Sequence, residues 1–209
     1  MNKCADDVRI ACPLFQGESG GVTPTSALQI KFGGIGAKKA VALNELWHSR
    51  MPLLTNWQMC FAYAGECDGL FYVAALWGPP VAREFNGRGY LELRRMAIAP
   101  DAPKNTASRM LGWMCREIKR NRPDICKLVS YQDTAVHQGT IYRASGWRIG
   151  GTKRNIGTGW NTRLRNTMQS TSDKVRWELD IRPQRNMEES QNIAQQAKGE
   201  MAEEQLSFL

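Results

Sequence analysis

Residues 90–120 read YLELRRMAIAPDAPKNTASRMLGWMCREIKR, and this stretch decides the fold. Polar and apolar residues alternate over 90–99 until a proline interrupts them, a pattern that predicts a central β-strand. After the loop 101–105, apolar side chains recur at helical spacing over 106–120, with Thr106 as the expected N-cap. The stretch therefore predicts a strand, a short loop and an amphipathic helix in direct succession.

The patterns on both sides of this stretch predict an α/β fold with a mixed central sheet flanked by helices. Further helices are expected at 36–47 and 135–144. Further strands are expected at 8–15, 57–64, 70–77, 126–131, 147–153 and 175–181, with a hairpin loop at 65–69. We therefore expect one domain over residues 1–182 and a polar tail over 183–209 that is helical or disordered.

Length and composition exclude several classes of protein. The 209 residues suffice for one α/β domain with its own core. The longest apolar run, 70–77, is far shorter than the roughly 20 residues that span a bilayer, so no membrane segment is expected. The first twelve residues, MNKCADDVRIAC, do not resemble a secretion signal. Because the six cysteines form no C-x-x-C pair, we expect reduced thiols in a cytoplasmic protein, in the host cytoplasm if a phage encodes it.

Positive charge is concentrated in the predicted domain. The formal charge of the chain is +8, but residues 183–209 hold two basic and five acidic residues, so residues 1–182 carry +11. A body this basic favours a polyanion such as DNA, because each neutralised phosphate releases condensed counterions. The alternative is that the charge serves solubility alone. The candidate phosphate contacts are Lys38, Lys39, Arg83, Arg88, Lys153, Arg154, Arg163 and Arg165.

The order of elements, and residues 91–150 in particular, resembles the GNAT acyltransferase superfamily. In that family, the helix after the central strand binds the pyrophosphate of acetyl-CoA through its first N–H groups. The usual loop is Q/R-x-x-G-x-G/A, and Thr106 and Ser108 replace its glycines here, with hydroxyls that are expected to donate to phosphate. The alternative is an ordinary capped helix. The resemblance implies acetyl-CoA as cofactor, bound by Lys104, Asn105, Thr106, Ala107, Ser108 and Arg109, and an oxyanion site at the backbone N–H groups of Met96, Ala97 and Ile98.

Residues 138–147, QGTIYRASGW, are similar to the Y-x-x-x-G-F/W signature of the same superfamily. Gly146 is expected to end a helix in a left-handed cap, and Tyr142 lies about one turn earlier, facing the cofactor. The resemblance implies that the Tyr142 phenol protonates the departing thiolate of coenzyme A. The alternative is a buried core tyrosine.

A narrower resemblance, over residues 28–155, is to the Mom proteins of Mu-like phages. It rests on WHSRMP at 47–52, RRMAIAP at 94–100, SYQD at 130–133, and the helix that carries Tyr142. Members of that family are implicated in converting adenine in DNA to a methylcarbamoyl derivative that protects phage DNA from restriction endonucleases. The resemblance implies that His48, Asp133 and Tyr142 line the reacting site, with Ser130 nearby.

The implied reaction makes three demands. The amine of adenine is a weak nucleophile, so a base is needed, and His48 or Asp133 is the candidate. A methylcarbamoyl group contains a nitrogen that acetyl lacks, and an iron ion held by His48, Asp133 and Tyr142 is one redox centre that suits these ligand types. Adenine must also leave the duplex or come from single-stranded DNA. Aromatic residues that would stack on the extruded base, or else form hairpin core, are Trp57, Tyr63 and Trp77.

Two other functions remain open from the sequence. One is an ordinary GNAT N-acetyltransferase that acts on a protein or small-molecule amine. The other is a basic DNA-binding protein that keeps the fold without catalysis, which titration with acetyl-CoA would distinguish. The oligomeric state is also open, with a homodimer as one option.

Overall fold

The architecture is that of a computed structural model which describes residues 23–47, 57–85, 87–135, 137–153 and 173–183. The strands in these residues are β1 (Lys31–Ile35), β2 (Phe61–Cys67), β3 (Leu70–Gly78), β4 (Tyr90–Ile98), β5 (Lys127–Asp133), β6 (Arg148–Lys153) and β7 (Lys174–Asp180). The helices are α1 (Ala37–Trp47), α2 (Thr106–Asn121) and α3 (Thr140–Ala144), and single 3-10 turns occupy Ala27–Gln29, Trp57–Met59 and Arg83–Phe85. No helix in this part of the chain is long and apolar enough to cross a membrane.

The strands form one sheet in the order β1-β2-β3-β4-β5-β7-β6. Neighbouring strands are antiparallel except β4 and β5, which run parallel. A parallel pair requires a crossover connection, and α2 supplies it. The mixed sheet with its helices confirms the predicted α/β class.

Alternation along β3 divides the sheet into two faces that different helices cover. Ala74 and Leu76 pack in clusters with residues of α1. Val73, Ala75 and Trp77 point the other way and pack in the cluster that contains the core residues of α2. We call these two sides the α1 face and the α2 face.

The largest core cluster lies on the α2 face. Helix α2 buries Met110, Leu111, Met114 and Ile118, the residues whose spacing predicted it. Each large apolar side chain contributes about 1.5–3 kcal/mol when it moves from water to such a core. The Trp77 Nε1–H group lies 3.1 Å from Met114 Sδ, so the indole finds a weak acceptor inside the core. This packing fixes the beginning of α2 relative to the end of β4.

Strands β4 and β5 separate part of the way along their length. Their pairing ends at the Leu93–Ser130 rung. Beyond it β4 continues to Ile98 beside β3, and β5 continues to Asp133 beside β7. We call the space between the two strands the β4–β5 gap, and the Leu93–Ser130 rung its closed end. The GNAT resemblance predicts an active site where the central strands splay apart in this way.

Several predicted bounds of elements were wrong. Residues 57–59 form a 3-10 turn, and β2 begins at Phe61. The hairpin loop is a tight turn at Asp68 and Gly69, which adopt φ values of +50° and +78°. The helix expected from residue 135 begins only at Thr140.

One further expectation about local structure was wrong, and one strand was not predicted. Thr106 is the first residue of α2 and not its N-cap, because Asn105 occupies the cap position with φ +69°. Strand β1 was not predicted, since the two glycines of KFGGI lower its strand propensity. The predicted strand 8–15, the loop 155–172 and the tail from residue 184 lie outside the described residues.

The aromatic residues of the β2–β3 hairpin belong to the core instead of an open stacking surface. Trp77 is fully buried. Tyr63 is half-buried and packs edge-on against Trp113, with ring centroids 5.2 Å apart. Trp57 lies in a 3-10 turn before β2. Hairpin core, the alternative offered by the sequence, therefore describes Trp77 and Tyr63.

Burial of Cys115 predicts an unreactive thiol. Cys115 is a buried free thiol, and burial raises its pKa to about 12. At neutral pH such a thiol is ionised in about one molecule in 100,000, and the thiolate is the form that reacts. We expect iodoacetamide to label Cys115 at least about a hundredfold more slowly than half-buried Cys126 in the folded protein. Timed peptide mapping by mass spectrometry measures this, and equal rates before unfolding in concentrated urea would contradict it.

Candidate active site

The closed end of the β4–β5 gap carries a tyrosine phenol. Ser130 forms the last β4–β5 rung, and its Oγ lies 2.9 Å from the Oη of Tyr142, with either oxygen able to donate. Both side chains are buried. Burial raises the pKa of Tyr142, and the hydrogen bond with Ser130 only partly opposes this shift. The phenol is therefore held in its protonated form, as a proton donor must be.

The end of α3 explains how Tyr142 reaches this position. Gly146 adopts φ +78°, the left-handed cap that the sequence predicted. The Gly146 N–H donates to the Arg143 carbonyl at 3.1 Å, and the Trp147 N–H donates to the Tyr142 carbonyl at 3.0 Å. These two bonds form a Schellman motif, which ends the helix and turns the chain into β6. The short helix thereby directs its one buried side chain, Tyr142, towards β5.

Backbone N–H groups of β4 line the open part of the gap. The Ala99 N–H donates to the Tyr72 carbonyl of β3 at 2.9 Å. Because antiparallel rungs alternate, Ala97 also directs its N–H to β3, whereas Met96 and Ile98 direct theirs away from β3 and towards the gap. Of the three predicted oxyanion donors, Ala97 is therefore engaged in the sheet, and Met96 and Ile98 face the open space.

The start of α2 offers backbone donors but not the side chains that the sequence suggested. Thr106 Oγ1 donates to the Pro103 carbonyl at 2.7 Å, and Ser108 Oγ donates to the Asn105 carbonyl at 3.2 Å. Each hydroxyl has one proton to donate, and in this structure it is donated to a carbonyl of the loop. The two hydroxyls therefore do not point a proton towards a phosphate, contrary to the expectation from the sequence. The first-turn N–H groups of Ala107 and Ser108 have no acceptor four residues earlier in the helix, as at any helix start. Lys104 and Asn105 are exposed beside them.

Arg109 is also committed elsewhere. Its Nη1 donates to the carbonyls of Ala27 and Ile30 at 2.7 and 2.8 Å, and its guanidinium lies over the ring of Phe32, 4.8 Å from the centroid. These contacts fasten α2 to the turn before β1. Arg109 therefore has a structural role here, and the backbone N–H groups at the start of α2 are the groups left as candidates for binding an anion.

The structure separates the other predicted catalytic residues. Asp133 ends β5 and accepts a hydrogen bond from the Ala135 N–H at 2.9 Å. Residues alternate along a strand, so Asp133 lies on the α1 face, opposite to Ser130 and Tyr142 on the α2 face. His48 lies outside the described residues.

This arrangement does not fit the proposed iron site. A shared metal requires its ligands on one side of the sheet, whereas the Asp133 carboxylate and the buried Tyr142 phenol lie on opposite faces. In the described ranges, no group of three or more His, Cys, Asp or Glu side chains is arranged to hold a metal ion. We therefore assign no step to iron.

Arg95 is a candidate site residue to which the sequence analysis gave no role, although it lies in the RRMAIAP motif. It pairs in register with Leu76, which places it on the α1 face of β4 just past the closed end of the gap. Its half-buried guanidinium donates to the Arg94 carbonyl at 2.8 Å. Burial and the neighbouring charge of Arg94 lower its pKa, and Glu92 raises it. Glu92 itself forms an ion pair with Arg94 at 3.6 Å.

The predicted DNA contacts are spread over several elements in the described part of the chain. Lys38 is exposed on α1, whereas Lys39 lies over the ring of Phe71 at 4.5 Å. Arg83 and Arg88 are exposed in the connection before β4, at the end of the sheet opposite to the open gap. Lys153 ends β6 at the open end, in register with Lys174. Arg154, Arg163 and Arg165 lie outside the described residues.

Comparison with known proteins gives a family match and a set of structural likenesses. The sequence model of the Mom protein family matches residues 30–202. No curated protein sequence matches the chain. Similar solved structures include a GNAT family acetyltransferase from Elizabethkingia anophelis with acetyl-CoA bound, with a TM-score of 0.54, 14% identity, and coverage of 73% of this chain and 98% of that one.

Two further solved structures have the same fold. An IAA acetyltransferase from Bacillus cereus gives a TM-score of 0.53 at 14% identity, covering 72% of this chain and 99% of that one. A Bacillus subtilis acetyltransferase in complex with CoA gives 0.52 at 13% identity, covering 73% and 97%. These likenesses show that the chain has the GNAT fold.

Proposed function

Because the chain belongs to the Mom protein family and has the GNAT fold, we propose that it transfers an acyl group from acetyl-CoA to the exocyclic amine of adenine in DNA. The observation that carries the proposal is the buried Tyr142 phenol, whose oxygen lies 2.9 Å from Ser130 Oγ at the closed end of the β4–β5 gap. A buried proton donor at that position is what the departure of a thiolate from a thioester requires.

The geometry supports acetyl-CoA as the acyl donor. The N–H groups at the start of α2 would bind its pyrophosphate, since helix starts favour anions. The thioester would then extend into the gap, where the N–H groups of Met96 and Ile98 would hold the carbonyl oxygen as negative charge develops on it. The structural relatives with acetyl-CoA or CoA bound make the same cofactor reasonable here.

The reaction would use groups from both faces of the sheet. The adenine amine attacks the thioester carbon, the carbon–sulfur bond breaks, and the amide forms. Asp133 or His48 takes a proton from the amine, and Tyr142 gives its proton to the leaving sulfur. Because Asp133 and Tyr142 lie on opposite faces, acceptor and leaving group would approach and depart on opposite sides of a thioester held between the strands.

The methylcarbamoyl product that the family resemblance implies contains one more nitrogen than an acetyl group. The transfer step above would therefore be one part of a longer reaction. Such a base modification would protect phage DNA from restriction endonucleases.

The charge of the chain supports DNA as the acceptor. Residues 1–182 carry a net charge of +11, which favours a polyanion. The half-buried Arg95 guanidinium lies on the α1 face, the same face of the sheet as Asp133, and suits the phosphate of an extruded nucleotide. Extrusion costs a few kcal/mol, which contacts to the flanking backbone would offset.

Expression of the chain in bacteria tests the proposal directly. We expect a modified deoxyadenosine when cellular DNA is digested to nucleosides and analysed by mass spectrometry, and the DNA should resist adenine-sensitive restriction enzymes. Of the His48→Ala and Asp133→Asn variants, the one that removes the base should lose most of the modification, so the pair identifies which residue takes the proton. Asp124→Asn is a matched control, since that exposed carboxylate pairs with Arg122 at 2.8 Å before the start of β5. It should modify DNA as the wild type does.

Two results would contradict the proposal in different ways. Unmodified DNA from a folded protein that acetylates a peptide amine would identify a GNAT N-acetyltransferase with another acceptor. Unmodified DNA together with no calorimetric binding of acetyl-CoA would identify a non-catalytic DNA-binding protein.

A further inference from the structure

The ring of Tyr142 is held by more than its hydrogen bond. Its face stacks on the indole of Trp177 in β7, with ring centroids 5.2 Å apart and an interplanar angle of 11°. Trp177 is also the partner in register of Ser130 across β5 and β7. Ser130 and Trp177 therefore form one cross-strand pair on the α2 face, and Trp147 also packs edge-on against the ring, with centroids 5.5 Å apart. Strand β7 thus supports the ring while β5 supports its hydroxyl.

Gln132 in turn fixes the indole of Trp177. The Trp177 Nε1–H donates to Gln132 Oε1 at 2.6 Å, and Gln132 Nε2 donates to the carbonyl of His137. Both side chains are buried. These two contacts define which end of the amide is oxygen, because only that orientation satisfies the indole and the carbonyl together. Gln132 therefore links the indole to the segment that leads into α3.

Gly139 completes this arrangement from the chain before α3. It adopts φ +73°, and a Cβ at this position would lie 2.5 Å from both Gln132 Oε1 and the Trp177 ring. The backbone of this segment lies directly against the amide and the indole as a result. Elements β5, β7 and the start of α3 thus converge on the Tyr142 ring.

We propose that Trp177 and Gln132 are positioning residues that orient the Tyr142 phenol at the closed end of the β4–β5 gap. The hydrogen bond to Ser130 acts on the hydroxyl alone, which lies at the far end of the rigid ring, whereas Trp177 stacks on the face of the ring. Stacking on an indole that is itself fixed limits the tilt of the ring. The inference rests on the proposed function, in which the phenol must meet a leaving sulfur, and a misplacement of about 1 Å can cost a hundredfold in rate.

Three variants test the inference, with a fourth as control. Gln132→Met keeps the side-chain volume but frees the indole, Trp177→Leu removes the stack, and Trp177→Phe keeps an aromatic ring without the N–H group. Trp113→Phe is the matched control, because Trp113 is a partly buried tryptophan that contacts Phe32 and Tyr63 instead of Tyr142. Circular dichroism and thermal melting verify that each variant is folded.

The first measurement is the rate of CoA release from acetyl-CoA in the presence of DNA. We expect kcat to fall about tenfold to a hundredfold in Gln132→Met and Trp177→Leu, with KM for acetyl-CoA unchanged, because the cofactor contacts lie elsewhere. Trp177→Phe should recover part of the loss. A rise in KM at constant kcat would overturn the inference, since it would indicate a role in binding.

The second measurement does not depend on activity. The ultraviolet titration of the protein, minus that of Tyr142→Phe, isolates the ionisation of the Tyr142 phenol. A loosened ring admits water, so the phenol pKa should fall towards its ordinary value in Gln132→Met and Trp177→Leu and stay unchanged in Trp113→Phe. An unchanged phenol pKa in both folded variants would overturn the inference. A lowered pKa with no CoA release even from the wild type would support it while contradicting the proposed function.

Discussion

The Tyr142→Phe variant is expected to bind acetyl-CoA as the wild type does and to release CoA about 100 to 10,000 times more slowly. The substitution keeps the ring that stacks on Trp177 and removes only the oxygen that Ser130 contacts at 2.9 Å. The leaving thiolate would then have to depart without a proton donor. Steady-state rates of CoA release, with calorimetric titration of acetyl-CoA, measure the two effects separately.

The pH dependence of kcat provides a second check on this role. A general acid works only while protonated, and burial raises the pKa of Tyr142. Wild-type kcat should therefore show no loss from this group until the pH exceeds about 10, the ordinary value for tyrosine. Ser130→Ala is the control, because it keeps the phenol and should cost about tenfold or less. Unchanged turnover in Tyr142→Phe would leave Tyr142 as a packing residue of the core.

Much of the fold could be predicted because the decisive elements have strong local patterns. The apolar spacing of Met110, Met114 and Ile118 specified α2, and these residues are fully buried. Gly146 specified the end of α3, since few other residues adopt φ +78°. Both signals lie within a few residues of the structure that they determine. The predictions of α2 and of the end of α3 therefore did not depend on knowing the tertiary fold.

The composition of the site was harder to predict because it depends on where a strand ends. The strand predicted at 126–131 leaves Asp133 in a loop, free to turn towards Tyr142. In the structure β5 extends to Asp133. Ser130 and Asp133 are three positions apart, so they must lie on opposite faces of a continuous strand. Predicting the end of β5 two residues too early therefore put the Asp133 carboxylate on the wrong side of the sheet.

Side-chain partners that come from distant sequence were also beyond local patterns. Arg109 contacts carbonyls 79 and 82 residues earlier, which no spacing rule indicates. Thr106 and Ser108 bond to nearby carbonyls, a local habit of hydroxyl residues that competed with the expected phosphate contact. Gly139 was predicted to lie inside a helix over 135–144. Its actual constraint comes from Gln132 and Trp177, which belong to two other elements and leave no signal in the local sequence.

Gly139→Ala is expected to destabilise the protein by about 2–4 kcal/mol, more than Gly146→Ala, which should cost about 1 kcal/mol. Both glycines flank α3 and have nearly equal positive φ values, +73° and +78°, so the backbone strain of an added Cβ is the same. They differ in surroundings: a Cβ at 139 would meet Gln132 Oε1 and Trp177 at 2.5 Å, whereas a Cβ at 146 meets nothing within 4 Å. Urea unfolding at a constant m-value measures both free energies, and the difference between them isolates the packing against Gln132 and Trp177. Equal losses would show that this segment can withdraw from the indole without cost, and that the Tyr142 ring is not supported from that side.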